Sequence, residues 1–309
     1  MTDPIALAEA SLLWLLLHLL LGWLFAGALA LLLPLLATAA PASRALVLWL
    51  YGLMPPACAL ALAGLTLSPL AGSFLVPSHC HGEECSPHSP VFQLAPALGL
   101  AGAGIFMLGL CISLLWLHSR LTCAHTRLQV LTQLGSWQRE RAYTRVEADR
   151  AFAWCAGLWR ARVIVSSALE QALSPEQLSA VLAHEHCHGQ RRDNLRRLTL
   201  YIATRLWPAG GRQRLLGAFS LATEETCDRF AAECLGQSAA LSEALQQLSQ
   251  QPGTSHQGFC HHHNRTRLEA LNNPLAFQPP VAASVLLITL WVAPLLSLPA
   301  GLHLLLESL

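Results

Sequence analysis

Lysine is absent from this 309-residue chain, and charged residues of every kind make up only 12% of it. An average soluble protein has about twice that share of charge, so the scarcity argues against an ordinary soluble protein. Hydrophobic residues make up 53% of the sequence. The formal net charge of +1 gives no sign of a strongly basic protein, and we expect no direct nucleic-acid partner.

Charge is missing altogether from four long stretches of the chain, which are residues 11–37, 45–76, 91–117 and 281–306. Each exceeds the roughly 20 apolar residues that a helix needs to cross a hydrocarbon core of about 30 Å. The sequence therefore predicts a mainly α membrane protein with four transmembrane helices in contact with lipid. Residues 1–118 would hold three of them, residues 119–280 a soluble domain, and residues 281–309 the fourth with a short outer tail.

The arginines are unevenly distributed. Eighteen of the 19 lie between Arg120 and Arg267, and the remaining one, Arg44, follows the first apolar stretch. Segments rich in basic residues stay on the cytoplasmic side of a membrane. We therefore expect a multi-pass protein with residues 119–280 in the cytoplasm and both termini outside.

Local patterns predict individual elements of the soluble domain. Residues 119–150 carry charges at helical spacing, so we expect them to continue the third span as a helix. Arg162–Ser166 (RVIVS) is short and β-branched, which predicts a strand. Ser174 and Gln177 have the spacing of a capping box, and a helix starting there would run to about Trp207.

That helix contains the motif HEHCH at residues 184–188. Residues four apart share one helix face, so His184 and His188 can bind one zinc ion together. Glu185 lies one position along, where a general base beside the metal is expected. A catalytic zinc needs a third protein ligand. Chemistry alone does not choose among the candidates on the next predicted helix, which are Glu224, Glu225, Asp228 and Glu233.

Three segments carry a resemblance to a known family. Val181–Leu195 (VLAHEHCHGQRRDNL), Glu224–Asp228 (EETCD) and Gly157–Ser166 (GLWRARVIVS) are similar to stretches of the integral-membrane beta-lactam sensor-transducers of the BlaR/MecR type. A zinc domain between the third and fourth spans also matches that family, and HtpX-like proteases are more distantly similar. The family's penicillin-binding sensor domain is not found in this sequence, so we do not expect beta-lactam sensing.

The resemblance implies an α+β zinc metallopeptidase domain of the gluzincin type, with one Zn²⁺ per chain, in a bacterial inner membrane. It implies that Glu224 is the third ligand, with Glu225 as its rival. It also implies that Asp228 and Asp193 orient the ligand histidines, as carboxylates beside zinc-bound imidazoles do. For Asp193 the alternative is a charge balanced by neighbouring arginines.

Three further expectations concern the substrate and the outer loop. The oxyanion needs another hydrogen-bond donor, for which we consider His256, His261 and Arg267, although histidines in a loop are often simply solvated. The edge of the strand Val163–Val165 would align an extended substrate by β-addition, unless it is an ordinary packing strand. Cys80 and Cys85, on the outer side, are expected to form a disulfide, and the alternative is that the loop His79–His88, which is rich in metal ligands, senses a metal or an oxidant.

The expected activity is zinc-dependent endoproteolysis of a protein or peptide, with a site-specific regulatory role in signal transduction. By the resemblance, the substrate would be a cytoplasmic transcriptional repressor, the chain itself, or both. Two alternatives stay open: an HtpX-like quality-control protease for membrane proteins, and a catalytically silent sensor or scaffold. Glu185 weighs against the scaffold, because a scaffold needs no general base beside a metal.

Overall fold

The computed structural model describes residues 4–67, 80–81, 84–85, 96–236, 238–249, 264–272, 279 and 281–307. The helices within these residues are α1 (Pro4–Leu35), α2 (Pro41–Leu67), α3 (Pro96–Leu134), α4 (Ser167–Ala172), α5 (Pro175–Arg191), α6 (Asp193–Ala203), α7 (Ala209–Leu235), α8 (Ala239–Ser249), α9 (Asn264–Asn272) and α10 (Val281–Glu307). The strands are β1 (Cys80–His81), β2 (Glu84–Cys85), β3 (Ser136–Gln138), β4 (Tyr143–Val146), β5 (Ala153–Ala156) and β6 (Arg162–Ser166).

Three of the described helices are long and apolar enough to cross a membrane. Their apolar segments are Ala10–Leu35 in α1, Pro41–Leu65 in α2 and Met107–Leu134 in α3. Leu16, Leu20 and Trp23 point outward from α1 and are more than half exposed, as side chains that face lipid would be. The fourth predicted span corresponds to α10, of which Val281–Ala293 is apolar, and its crossing of the membrane stays a prediction.

A mixed four-stranded sheet has the strand order β3-β4-β6-β5. Strands β4 and β6 are parallel, with Thr144 opposite Ile164, while β3 and β5 run antiparallel to their neighbours. The predicted strand Arg162–Ser166 is confirmed as β6. The expectation that Val163–Val165 offers a free edge to a substrate is wrong, because β4 and β5 occupy both of its sides. A continuous apolar run is typical of such an interior strand.

Helix α5 begins where the sequence predicts. The hydroxyl of Ser174 accepts a hydrogen bond from the backbone N–H of Gln177, whose side-chain oxygen accepts one from the backbone N–H of Ser174. The capping box supplies hydrogen-bond acceptors for N–H groups of the first turn that would otherwise lack partners. Pro175 has no backbone N–H group and so needs no acceptor there. The start of the helix that carries residues 184–188 is therefore fixed by its own sequence.

The same helix ends at Arg191 and not at about Trp207. Arg192 adopts a left-handed conformation, with φ of 54° and ψ of 42°, and α6 begins immediately after it. Left-handed residues are most often glycine, so an arginine gives no sequence signal of the break. The turn brings Asp193, the first residue of α6, back towards α5.

The helix predicted to continue the third span is shorter than expected. Helix α3 ends at Leu134, and the following residues up to 150 contain β3 and β4 instead of helix. Gly135 stands at the junction, where an added Cβ atom would lie 2.5 Å from Thr144 Cγ2 and 2.8 Å from the carbonyl oxygen of Arg145. The close approach of β4 thus requires glycine at this position.

Helices α6 and α7 pack against α1 and α2, two of the candidate spanning helices. Leu200 of α6 and Leu215 of α7 are buried in one cluster with Phe25 and Tyr51. Gly52 allows this approach, because a Cβ atom there would meet Leu200 Cδ1 at 2.1 Å and Leu215 Cδ2 at 3.0 Å. On its other side α7 packs against α5, and α5 and α8 share a second core with the sheet. Helix α7 therefore lies between a candidate spanning helix and the helix with the HEHCH motif.

The segment between α2 and α3 contains the short strands β1 and β2. Their backbone pairing places Cys80 opposite Cys85 and His81 opposite Glu84. Residues directly opposite each other in an antiparallel pair have Cα atoms about 4.5–5.5 Å apart, which lies within the range of about 4.4–6.8 Å found across disulfides. This pairing favours the expected disulfide, which stays a prediction.

Candidate metal centre

Three side chains from two helices direct their ligand atoms to one point. His184 and His188 lie one turn apart on α5, and Glu224 reaches them from α7. The Nε2 atoms of the two histidines are 3.1 Å apart. Oε2 of Glu224 lies 3.3 Å from Nε2 of His184, and Oε1 of Glu224 lies 3.7 Å from Nε2 of His188. Ligand atoms about 2.0–2.1 Å from a tetrahedral zinc ion lie about 3.3 Å apart, so the spacing fits zinc.

Each imidazole contacts a second carboxylate through its other nitrogen. Nδ1 of His184 lies 2.8 Å from Oδ1 of Asp228, and Nδ1 of His188 lies 3.0 Å from Oδ2 of Asp193. Because a carboxylate accepts hydrogen bonds, these contacts favour the tautomer that carries the proton on Nδ1. With that proton on Nδ1, the Nε2 atom of each ring is the one that faces Glu224 and can bind a metal ion. The donor set of two imidazoles and a carboxylate is one that zinc prefers.

The electrostatics of the three residues agree with a cation site. Burial alone would lower the pKa of His188, but its hydrogen bonds with Asp193 and Glu224 raise the value to about 10. Burial alone would raise the pKa of Glu224, yet hydrogen bonds from His184 and His188 hold it well below its usual range. The negative charge of Glu224 is therefore kept at the point where the imidazole nitrogens meet.

Glu185 lies beside this point and is 3% exposed. Burial raises the pKa of its carboxyl group, while the nearby charges of His188 and His184 lower it in part. Its carboxylate also accepts a hydrogen bond from the backbone of Cys155 on β5. A buried carboxylate with a raised pKa next to a metal site suits a general base.

Glu225, the rival for the third ligand, is directed elsewhere. Its Oε2 atom pairs with Nη2 of Arg44 at the start of α2. Successive helix residues are about 100° apart, so Glu224 faces α5 while Glu225 faces α2. The described geometry therefore favours Glu224 as the ligand.

Arg267, considered above as an oxyanion donor, lies behind the site. From α9 its Nε and Nη2 atoms donate hydrogen bonds of 2.7 and 2.6 Å to Asp228, and Nη1 lies 3.3 Å from Glu224. The side chain is 1% exposed. These contacts fit a support for the two carboxylates better than an oxyanion donor. The other candidates, His256 and His261, lie outside the described residues.

Sequence reasoning missed two further groups at the centre. Cys227 Sγ lies 3.4 Å from Nδ1 of His188 and 3.8 Å from Oδ2 of Asp193. Arg44, which the sequence offered only as evidence for the cytoplasmic side, contacts Glu225 on the helix that carries Glu224. The cysteine was visible in the EETCD segment, whereas no local pattern ties Arg44 to residues about 180 positions away.

The edge strand next to α5 is β5, and one end of it is already occupied. Nδ2 of Asn194 donates hydrogen bonds of 2.8 Å to the carbonyl oxygen of Cys155 and 3.2 Å to that of Gly157. These two carbonyl oxygens are therefore already engaged and would not be open to an extended peptide. β-addition of a substrate would need an edge strand, which is β5 or β3 and not β6.

A cavity of about 780 Å³ lies between the C-terminal half of α3 and the turn that joins β5 to β6. Its lining includes Leu121, Leu128 and Trp159 together with Arg160 and Asn194. The three candidate metal ligands are not among its lining residues. The volume falls within the range of binding pockets for small molecules and peptide segments.

Part of the chain also matches a known protein family. Residues 124–209 match the model of Peptidase family M48. The match covers the sheet and the HEHCH motif and ends before Glu224. No curated protein and no solved structure matches the chain. In residues 124–209 the chain is therefore similar to Peptidase family M48, a family of zinc metallopeptidases.

Proposed function

We propose that the protein is a membrane-embedded zinc endopeptidase that makes site-specific, regulatory cuts in a protein substrate. The observation that carries the proposal is the arrangement of the buried His184 with the partly exposed His188 and Glu224 at zinc spacing, with the buried Glu185 beside them. The similarity of residues 124–209 to Peptidase family M48 supports the same chemistry. His184, His188 and Glu224 would hold one Zn²⁺, and Asp228 and Asp193 would fix the orientation of the two imidazoles.

Zinc supplies Lewis acidity that polarises a peptide carbonyl and makes water more acidic. Glu185 would accept a proton from the attacking water, and burial, which raises the pKa of its carboxyl group, makes it a stronger base. The same carboxyl group would then donate that proton to the leaving amine. The backbone of Cys155 holds the Glu185 carboxylate on the side of β5, where a peptide on the strand edge would lie.

The position of Arg44 supports a cytoplasmic active site. Its pairing with Glu225 places the basic first loop and the metal centre at the same end of α2. Basic loops stay in the cytoplasm, so the site would face the cytoplasm of a bacterial inner membrane. Both termini would then lie outside, with α10 as a fourth span.

The substrate we favour is a cytoplasmic transcriptional repressor, the chain itself, or both. A cytoplasmic site and the resemblance to the beta-lactam sensor-transducers support this class of substrate. The cavity beside β5 is large enough for a few side chains of a bound peptide. Its rim residue Arg160 would favour an acidic segment there.

Mapping of new protein N-termini in bacterial cells that express the wild type or Glu185→Gln tests the proposal. The substitution spares the three ligands, so zinc binding should persist while cleavage falls by about 10²–10⁴-fold. One or two Glu185-dependent termini would support a regulatory peptidase. Many such termini in misfolded membrane proteins would favour the quality-control alternative instead.

Retained zinc combined with identical termini in both strains would contradict the proposal and favour the scaffold. A second comparison uses the wild type and cells that express Glu224→Gln. It shows the effect of losing the metal separately from the effect of losing the general base. Cleavage that survives both changes would come from another protease of the host.

A further inference from the structure

Arg44 lies at the start of α2, outside residues 119–280, yet it pairs with Glu225 on α7. The Glu225 side chain is 6% exposed. A charged group so deeply buried needs an opposite charge next to it. The pair therefore joins a spanning helix to the residue that follows the candidate ligand Glu224.

We propose that Arg44 is a positioning residue for the metal centre: by neutralising Glu225 it fixes the rotation of α7 and so holds Glu224 against His184 and His188. The proposal rests on the zinc site described under the proposed function. It concerns metal binding and makes no use of the identity of the substrate.

The helical geometry of α7 gives the physical reason. Glu224 and Asp228 share the face that points to α5, while Glu225 points to α2, about 100° away. Without the guanidinium group of Arg44, the Glu225 carboxylate would be buried near Asp228 with no counter-charge on α2. Arg229, the other positive charge that acts on Glu225, lies on α7 itself and so cannot fix the rotation of that helix. Rotation of α7 would bring Glu225 to water, and the same rotation would withdraw Glu224 from the imidazoles.

The remaining contacts of α2 cannot replace Arg44 at this level of the helix. Leu48 and Gly52 follow Arg44 at intervals of four residues on the same face, and both lie against apolar side chains. Nε1 of Trp49 donates a 2.9 Å hydrogen bond to Thr199 on α6, which secures α6 and not α7. Loss of Arg44 should therefore disturb the metal ligand while leaving the helix packing near Gly52 in place.

The experiment measures zinc affinity of the full-length chain in detergent micelles, by competition with a chromogenic chelator. Arg44→Gln should weaken zinc binding about tenfold or more, the size of effect seen when residues that support metal ligands are changed. Arg44→Lys, which keeps the charge, should lose less. Arg139→Gln removes an exposed positive charge in the turn between β3 and β4 and should bind zinc like the wild type.

The double variant with Arg44→Gln and Glu225→Gln provides the decisive comparison. Breaking a buried pair on one side leaves an uncompensated charge, whereas neutralising both partners does not. The double variant should therefore bind zinc more tightly than Arg44→Gln alone. Equal zinc affinity of Arg44→Gln and the wild type would overturn the proposal, as would equally weak binding by the single and double variants.

If Arg44→Gln does not fold, Arg44→Lys and the double variant decide the outcome. A folded double variant with near-wild-type zinc affinity supports the positioning role. A double variant that also fails to fold would make the pair a general folding determinant and overturn it. Zinc binding without peptidase activity in the wild type would instead refute the proposed function and leave this inference standing.

Discussion

Oδ1 of Asp228 lies 2.8 Å from Nδ1 of His184, on the side of the ring opposite the meeting point of the ligand atoms. Both oxygens of this carboxylate also accept hydrogen bonds from Arg267. The orientation of a histidine on α5 therefore depends on a carboxylate from α7 and a guanidinium group from α9. Asp228 contacts both His184 and Arg267, so the geometry of the metal centre depends on how α9 packs against α7.

Substitution of Asp228 by asparagine should lower zinc affinity by about 10–100-fold. The amide has no negative charge, so it holds the Nδ1 proton of His184 less strongly. Arg267 would be left with Glu224 as its carboxylate partner among the described contacts and would compete with the metal for it. Chelator competition on the purified chain measures the change, with Asp149→Asn on an exposed turn as the control. Equal zinc affinities in the two variants would contradict this account of Asp228.

Glu224→Gln and Glu225→Gln should have very different effects on zinc binding. Glu224 is the proposed third ligand, so its loss should lower zinc affinity by more than the roughly 100-fold seen for residues that only support a ligand. Glu225 contacts Arg44, which is 21% exposed and can be hydrated when its partner is removed, so Glu225→Gln should cost less than about tenfold. Metal analysis after dialysis against a weak chelator distinguishes the two. A larger loss of zinc affinity in Glu225→Gln than in Glu224→Gln would make Glu225 the ligand and require a different rotation of α7.

Sequence reasoning succeeded where local patterns determine structure. The capping box at Ser174 and Gln177 fixes the start of α5, and the four-residue spacing of His184 and His188 places both imidazoles on one face of that helix. It failed at Arg192, because an arginine in the left-handed conformation is indistinguishable in the sequence from an arginine within a helix. It also assigned β6 an edge position, since neighbouring strands depend on contacts between distant residues.

The supports of the metal centre were the hardest to predict. Arg44 and Arg267 come from segments far from residues 184–188, and nothing in their neighbours indicates an interior position. Arginines are usually solvated, so the sequence alone favours exposure for both. Only the packing of α2 and α9 against α7 brings their guanidinium groups to buried carboxylates.

Zinc removal should lower the thermal stability of the wild type. Zinc that binds the folded chain at a concentration 100-fold above its dissociation constant stabilises it by about 2.7 kcal/mol. Thermal unfolding with and without a chelator measures the difference. His188→Ala should show the same unfolding temperature in both conditions, whereas Glu185→Gln should respond like the wild type. A chelator effect of equal size in His188→Ala would place the zinc elsewhere in the chain.

The left-handed turn at Arg192 should matter for both stability and metal binding. A left-handed residue with a Cβ atom costs roughly 1–2 kcal/mol, and a β-branched side chain fits there still less well. Arg192→Ile should therefore destabilise the chain, while Arg192→Gly should fold at least as well as the isoleucine variant. The turn also sets the position of Asp193 against His188, so Arg192→Ile should weaken zinc binding as well.

Thermal unfolding and chelator competition on the same samples test both effects. Arg197→Ile, an exposed change within α6, controls for the loss of charge and for β-branching in an ordinary helical residue. Loss of stability by Arg192→Ile with unchanged zinc affinity would show that Asp193 finds its position without the turn. Equal unfolding temperatures and equal zinc affinities of Arg192→Ile and Arg197→Ile would mean that a β-branched residue is accepted at both positions. The left-handed conformation at position 192 would then not be required.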